Sequence, residues 1–340
     1  MTNFEVASPI LNRPYDEPQE HWWIVEGQPA ERRPGRRPAT YWYRPPGKSQ
    51  HEGGVLIELK RVNLIRERMK AWREQGWPGV TRTTYDLLKH WRREGRKQNL
   101  FFAQLEAAET VIFLLEARAD LRQGIEVPRD EPGPEEMANG YSGFTRYCCK
   151  MATGSGKTTV MGMLAAWSIL NKVNDRSDAR FSDVVLVVCP NVTIRDRLRE
   201  LDPALGESSL YRTRDLVPAH LMPALNQGKV LYTNWHVFEP RRPETHGDGG
   251  KVVKAGVEVE TKEVIRIGEK NDTKRGVRWL TRETLYQQIN NGLLEVVEGD
   301  PEKDGTLRVR STKYVESDTA LVNRVLRGVG GKQNILVFND

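Results

Sequence analysis

The sequence predicts an α/β fold built on a parallel sheet, with an N-terminal accessory segment and an insertion. Three observations support this fold class. Strand-like and helix-like segments alternate from about residue 144 onward, which is the pattern of a parallel α/β sheet. The run Asp183–Cys189 is apolar and rich in β-branched residues, as expected for a strand that is buried on both faces. A glycine-rich loop, ATGSGKTT at 152–159, lies between a predicted strand and a predicted helix.

Length and composition exclude several classes of protein. The chain has 340 residues, enough for about two domains, and its 38% hydrophobic residues can form a core. No apolar run approaches the roughly 18 residues of a membrane span, and the N-terminus has no apolar secretion signal. The three cysteines exclude a disulfide framework. We therefore expect a cytoplasmic protein with no membrane partner.

Residues 1–95 form a basic, tryptophan-rich accessory segment. The first hundred residues hold 19 basic and 12 acidic residues and six of the nine tryptophans. Such a segment can contact phosphates and stack on bases; alternatively, the tryptophans fill a small core and the arginines are solvated. Arginines in RRPGRR (32–37) and WRREGRK (91–97) have no obvious acidic partners in the sequence, so they are the expected phosphate contacts. Glu58-Leu59-Lys60 matches part of a nuclease motif, with a helix start as the alternative.

Local patterns place the elements of the accessory segment and the region after it. Aromatic residues predict short strands in HWWIV (21–25) and TYWYR (40–44). Apolar residues at three- and four-residue spacing predict helices from about Leu56, over Thr84–Arg93 and over Gln98–Leu121.

Residues 96–340 contain the predicted parallel sheet. The predicted elements are strands at Phe144–Met151, Asp183–Cys189, Lys229–Thr233 and Asn334–Asn339, and helices at Lys157–Asn171 and Val192–Glu200. Cys148 and Cys149 are expected to pack in the core as part of the first strand. The region from about 241 to 330 interrupts the alternation and is interpreted as an insertion. It contains a predicted hairpin at 241–276, helices at 280–297 and 318–326, and an extended segment at 307–315.

The glycine-rich loop has the residues of a phosphate-binding loop. Gly154 and Gly156 allow a tight turn that directs backbone N–H groups toward phosphate oxygens, with Ser155 between them and Thr159 behind. Lys157 is expected to reach the β- and γ-phosphates of ATP, and the Thr158 hydroxyl to bind Mg²⁺. Met151 stands where the general pattern has its first glycine.

Several segments resemble motor motifs. ATGSGKT after a strand resembles motif I of superfamily-2 helicases and translocases, and is most similar to motor subunits of type III and type I restriction endonucleases. VVLVVCPNVTIRDRLREL (184–201) resembles motif Ia, VLYTNWHVFEPR (230–241) the next strand and its loop, and NILVFND (334–340) the strand that ends in the DEAH box. The N-terminal segment also resembles the leader of type-III-like restriction proteins. The resemblance implies a RecA-like P-loop NTPase fold over 96–340 and ATP hydrolysis coupled to movement on DNA.

The resemblance also implies roles for individual residues. Asp340 is the first residue of motif II and a ligand of Mg²⁺, and Gln104 reads adenine, although a solvated helix residue is the alternative. The loops at Pro190-Asn191 and Thr233-Asn234 contact the DNA backbone. Double-stranded DNA is the expected substrate, with a modification methyltransferase as a possible partner.

The printed sequence stops at the first residue of motif II. The glutamate expected next, a second motor domain and a nuclease do not occur in it, so we expect an N-terminal fragment that binds ATP weakly and hardly hydrolyses it. Three alternatives stay open: a helicase of DNA repair or RNA metabolism without a nuclease, a catalytically inactive nucleotide-binding module, and a small-molecule kinase.

Overall fold

The computed structural model describes residues 8–24, 29–44, 54–138, 140, 142–235, 257–269, 272–274, 277–290, 293–303, 305–315 and 334–339. The chain divides into two compact units. The first comprises Met1–Trp167 with Arg214–Pro218, and the second comprises Ser168–Thr213 with Ala219–Asp340. Asp340, the predicted Mg²⁺ ligand, and the helix predicted at 318–326 lie outside the described residues.

The first unit begins with two antiparallel hairpins. Strand β1 (Glu20–Trp23) pairs with β2 (Glu31–Pro34), and β3 (Thr40–Tyr43) pairs with β4 (Val55–Glu58). Both predicted aromatic strands are confirmed. Lys60 then begins the first helix and Glu58 ends β4, which agrees with the helix-start interpretation of this segment.

Three helices follow and form the core of the first unit. They are α1 (Lys60–Glu74), α2 (Arg82–Arg92) and α3 (Phe102–Glu116). Trp72 and Trp91 are fully buried, and the Trp72 ring meets Phe113 edge-on with ring centroids 5.4 Å apart. Trp42, in contrast, is half exposed. At least two of the six N-terminal tryptophans therefore fill a core, as one of the two interpretations predicts.

Helix α3 is shorter than the predicted 98–121. Its flanking residues Phe101 and Ala117 have ψ angles near +146° and +147°, which no α-helix contains. The side chain of Arg122 folds back, and its Nη1 donates to the Leu114 carbonyl oxygen at 2.9 Å. This hydrogen bond satisfies one of the last helical carbonyls and so stabilises the end of α3.

The strand predicted at 144–151 is wrong for most of its length. Strand β5 (Arg129–Asp130) and the short helix α4 (Pro134–Ala138) precede β6, which spans only Phe144–Thr145 and pairs antiparallel with β5. Residues 146–151 have no β-branched side chain and form no strand, and Cys148 and Cys149 are exposed rather than in the core. The helix predicted after the glycine-rich loop is confirmed as α5 (Lys157–Asn174).

The second unit contains two parallel strands that the sequence predicts. Strand β7 (Val184–Cys189) is buried at every residue and pairs in parallel with β8 (Lys229–Asn234). Between them lie α6 (Val192–Leu198), α7 (Leu210–Thr213) and α8 (Met222–Leu225), with 3₁₀ turns at Arg199–Leu201, Pro203–Ser208 and Ala219–Leu221.

A five-stranded sheet and one helix make up the described part of the insertion. The elements are β9 (Val257–Ile267), β10 (Asp272–Lys274), β11 (Val277–Leu280), α9 (Arg282–Asn290), β12 (Leu294–Glu298) and β13 (Thr306–Val315), with strand order β10-β11-β9-β13-β12. Their shared core includes Ile265, Ile267, Leu280, Leu285, Leu294, Leu307 and Val309. The helix predicted at 280–297 is wrong in its second half, because Leu294 and the valines after it form β12.

The chain then returns to the parallel sheet. Strand β14 (Leu336–Asn339) pairs in parallel with β7, which gives the strand order β14-β7-β8. The Asn334 side-chain amide donates to the carbonyl oxygens of Ala179 and Phe181 at 2.7 and 2.9 Å, and Ser182 Oγ donates to the Asn334 carbonyl oxygen. These bonds hold the start of β14 beside the start of β7. The predicted α/β class with a parallel sheet is confirmed.

A completely buried carboxylate joins the three helices of the first unit. Glu109 on α3 has no exposed surface. It accepts hydrogen bonds from Arg73 Nε of α1 and from Arg92 Nη2 of α2, both at 2.8 Å. A buried charge requires such partners, because the transfer of an unpaired ion out of water costs several kcal/mol.

We expect Glu109→Ala to lower the free energy of unfolding of the first unit by about 3–5 kcal/mol, since two arginines would lose their shared acceptor. Urea denaturation followed by tryptophan fluorescence measures this loss. Glu74→Ala, at the exposed end of α1, is the control and should change stability by about 0.5 kcal/mol or less. Equal stability of the two variants would contradict the role of the buried carboxylate.

Candidate nucleotide-binding site

The glycine-rich loop forms a tight turn directly before α5. Gly154 has φ +80° and Gly156 has φ +83°, in the left-handed region that glycine adopts without steric cost. The backbone N–H and the Oγ of Ser155 both donate to the Ala152 carbonyl oxygen, at 3.3 and 2.6 Å. Both glycines of the motif therefore lie at positions where the backbone adopts a left-handed conformation.

The first turn of α5 follows without a break. The backbone N–H groups of Thr159 and Val160 donate to the Gly156 carbonyl oxygen at 3.0 and 3.3 Å. The first N–H groups of a helix have no acceptor within it and carry a partial positive charge. Lys157 is exposed, Thr158 is half-buried and Thr159 is buried. This helix end can accept an anion such as phosphate.

Gln104 contacts the loop from α3. Its side chain is 7% exposed, and Nε2 donates to the Ser155 carbonyl oxygen at 3.1 Å. Its Oε1 accepts from the Phe101 backbone N–H at 2.9 Å. A Cβ atom on Gly156 would lie 2.0 Å from this Nε2, so a larger residue cannot replace that glycine without displacing the glutamine. Gln104 is thus not a solvated helix residue, and it supports the loop through a contact that the sequence did not predict.

The family resemblance implies that Gln104 recognises adenine, and this role would need the same two side-chain atoms, Oε1 and Nε2. An amide recognises the edge of adenine with one acceptor and one donor, and here both atoms already have backbone partners. That role stays a prediction.

A second buried carboxylate fixes the helix behind the loop. Glu116 on α3 accepts from Trp167 Nε1 of α5 at 2.6 Å, from Thr84 Oγ1 at 2.7 Å and from the Thr81 backbone N–H at 2.8 Å. One feature of the sequence points to this network. Glu109 and Glu116 are seven residues apart and lie on the same face of α3 as Ile112, so two charged residues stand at the spacing of buried apolar positions.

The N-terminal segment contacts the first turn of α3, beside Gln104. The Phe102 backbone N–H donates to the Pro14 carbonyl oxygen at 2.8 Å, and the rings of Tyr15 and Phe101 have centroids 5.5 Å apart. Arg36 forms an ion pair with Glu106 on the same helix. The leader therefore contacts the helix that holds the loop.

The arginine clusters do have acidic partners, contrary to the sequence-based expectation. Arg32 pairs with Glu20, Arg33 with Glu31, Arg36 with Glu106, Arg92 with Glu109 and Arg93 with Asp215. The folded chain brings together acids that are distant in sequence, as the pairing of Arg36 with Glu106 shows. Arg36 and Arg92, whose acidic partners are largely buried, join separate elements of the first unit.

The residues predicted to contact DNA meet at one edge of the parallel sheet. The β7–β8 register places Cys189 beside Asn234, so Pro190-Asn191 and Thr233-Asn234 lie at the carboxyl ends of neighbouring strands. Asn191 also caps α6, because its Oδ1 accepts from the Ile194 backbone N–H at 2.8 Å. The four residues therefore lie near one another, and their contact with DNA stays a prediction.

Residues 97–209 match the family model described as the res subunit of type III restriction enzymes. The matched residues, about a third of the chain, are called the res-subunit segment below. No curated protein and no solved structure matches the chain in the other two comparisons.

The res-subunit segment contains much of the site described above. It includes α3 with Gln104, the glycine-rich loop, α5 and the turn at Pro190-Asn191. Thr233, Asn234 and Asp340 lie after its end.

Among the described residues, no three histidine, cysteine, aspartate or glutamate side chains are grouped so that they could hold a metal ion. None of the described helices has the length and apolar character that a membrane crossing requires.

We expect both Gln104→Ala and Gln104→Glu to loosen the loop. Glutamate keeps the size of the side chain and the acceptor for Phe101, but it has no N–H to donate to Ser155. Loss of one hydrogen bond worth about 0.5–1.5 kcal/mol should speed amide hydrogen exchange over residues 152–157 by about two- to tenfold. Gln123→Ala, at an exposed turn, is the control. Unchanged exchange in Gln104→Glu would show that the bond does not hold the loop.

Proposed function

We propose that the chain is the ATP-binding motor portion of a type III restriction endonuclease, in which ATP hydrolysis drives movement along double-stranded DNA. The observation that carries the proposal is the glycine-rich loop at the start of α5. Two of its glycines have positive φ, and the Gln104 side chain donates a hydrogen bond to its Ser155 carbonyl oxygen. The loop also lies within the res-subunit segment.

The loop residues suit Mg²⁺-ATP in charge and shape. The backbone N–H groups of Gly154 and of residues 156–158 would bind the phosphates, because no Cβ atom crowds the turn at either glycine. Lys157 is exposed and has no ion pair within the described part of the chain, so its ammonium group can approach the β- and γ-phosphates. Thr158 would bind the magnesium ion, together with Asp340 as the resemblance implies. When bound, the ion would neutralise charge on the phosphates.

The edge of the parallel sheet suits contact with a nucleic-acid backbone. Ligands of open α/β sheets bind at the carboxyl ends of the strands. Pro190-Asn191 and Thr233-Asn234 stand at that edge on adjacent strands and would contact the phosphates of one DNA strand. Phosphate contacts of this kind position a protein on DNA without reading its sequence. A modification methyltransferase as partner and a cytoplasmic location are parts of the proposal that come from the family resemblance.

The test is nucleotide binding by the purified chain. We expect Lys157→Ala to weaken binding of a fluorescent ATP analogue about ten- to hundredfold in the presence of Mg²⁺, since a hydrogen bond to a charged group is worth about 1.5–3 kcal/mol. Lys60→Ala is the matched control, because it removes an exposed lysine at the start of another helix.

ATP turnover with and without linear duplex DNA then separates a motor from an inactive nucleotide-binding module. Parental affinity in Lys157→Ala would overturn the assignment of the loop. Tight binding without any turnover, with or without DNA, would favour the inactive module.

A further inference from the structure

Cys148 and Cys149 are adjacent in the chain and belong to none of the motifs described above. Both are exposed and neither forms a disulfide, whereas Cys189, at the end of β7, is buried. The pair, called the dithiol below, lies between Thr145 of β6 and the first residue of the glycine-rich loop, Ala152. Free cysteine is among the residue types most often buried, so two adjacent ones at the surface are not explained by packing.

The backbone around the dithiol is not held by a strand or a helix. Residues 146–151 form no regular element. Within the part of the chain that the structure describes, no backbone group of residues 147–151 hydrogen-bonds to another backbone group. In a strand, successive side chains point to opposite faces. That constraint is absent here, and both thiols can turn toward one ligand without the loss of a backbone hydrogen bond.

The surroundings of the sulfur atoms favour the thiol over the thiolate. Although Cys149 is exposed as a residue, partial burial of its sulfur raises its pKa, and the neighbouring Cys148 raises that pKa further. The thiolate is the species that attacks disulfides and oxidants, so oxidation of Cys149 is disfavoured at neutral pH. A thiol can instead condense with a hydroxyl group on a soft centre and release its proton as water.

A disulfide between the two cysteines would be strained. Consecutive Cα atoms are about 3.8 Å apart across a trans peptide bond. The Cα atoms joined by a disulfide are usually roughly 4.4–6.8 Å apart. A bridge with a further atom between the two sulfurs is longer and relieves this strain. The geometry therefore favours a bound ligand over an internal disulfide.

The number of sulfur atoms decides which soft centre fits. Structural zinc sites use four ligands, and the described residues offer no group of three or more metal-binding side chains. An organic compound of trivalent arsenic needs only two thiols, because its carbon substituent occupies the third bond. Cysteine sulfur is a soft ligand and prefers soft centres of this kind.

We propose that the dithiol binds trivalent organoarsenicals, with one As–S bond to Cys148 and one to Cys149. In this reaction two As–O bonds of the dihydroxy form of the arsenical break and two As–S bonds form. Each thiol proton leaves with a hydroxide as water, and no atom changes its oxidation state. The binding uses neither the glycine-rich loop nor the edge of the parallel sheet, so it does not depend on the proposed ATPase.

The experiment uses phenylarsine oxide as the probe and the full 340-residue chain, reduced and then freed of reductant. Intact-protein mass spectrometry counts the bound phenylarsenic groups while 2-mercaptoethanol, a competing monothiol, is titrated, and peptide mapping locates them. The test variants are Cys148→Ser and Cys149→Ser, each of which lacks one sulfur of the dithiol. The control variant is Cys189→Ala, which removes the buried cysteine. ATP and Mg²⁺ are left out, and circular dichroism checks that each variant is folded.

We expect the parent chain to bind a single phenylarsenic group on the peptide that contains the dithiol. Each serine variant should release it at a 2-mercaptoethanol concentration about a hundredfold lower, because the advantage of a second, intramolecular As–S bond is lost. The Cys189→Ala variant should behave like the parent, and the peptide map of the parent decides the same point without any substitution. Parental retention by either serine variant would overturn the proposal. So would an adduct mapped to Cys189, or one that joins two chains.

Discussion

The first unit depends on carboxylates buried along one face of α3. Glu109 has no exposed surface and Glu116 is 4% exposed, and buried ionisable groups are stable only where donors surround them. Each therefore fixes the position of other elements. Glu109 accepts hydrogen bonds from arginines of α1 and α2, and Glu116 accepts them from Trp167 of α5 and from the start of α2. Apolar packing alone would tolerate small shifts of these helices, whereas directional hydrogen bonds to a buried acid do not.

Helix α3 also brings the leader and the glycine-rich loop to one place. Its first turn receives Pro14, Tyr15 and Arg36 on one side and holds the Ser155 carbonyl through Gln104 on the other. The N-terminal segment and the glycine-rich loop therefore contact the same turn of α3. The tryptophan-rich segment therefore contributes to the support of the glycine-rich loop.

The sequence predicted the elements whose pattern is local. The β-branched run of β7, the strands β8 and β14, the helix after the loop and the two glycines at positive φ all follow from residue type and spacing. Two predictions failed for different reasons. The stretch at 146–151 was assigned to a strand because a strand usually precedes such a loop, yet it contains no β-branched residue. The arginines looked unpaired because Glu106 and Asp215 approach them only in the folded chain.

The strand order β14-β7-β8 has a consequence for the synthesis of the protein. Strand β7 is the central strand and the most apolar one, but one of its two neighbours is made only after the whole insertion has left the ribosome. Until then one edge of β7 has backbone groups without partners, and an open apolar edge is a template for association with other chains. The nascent second unit therefore resembles an aggregation-prone intermediate, and its yield in a cell should depend on how long translation of the insertion takes.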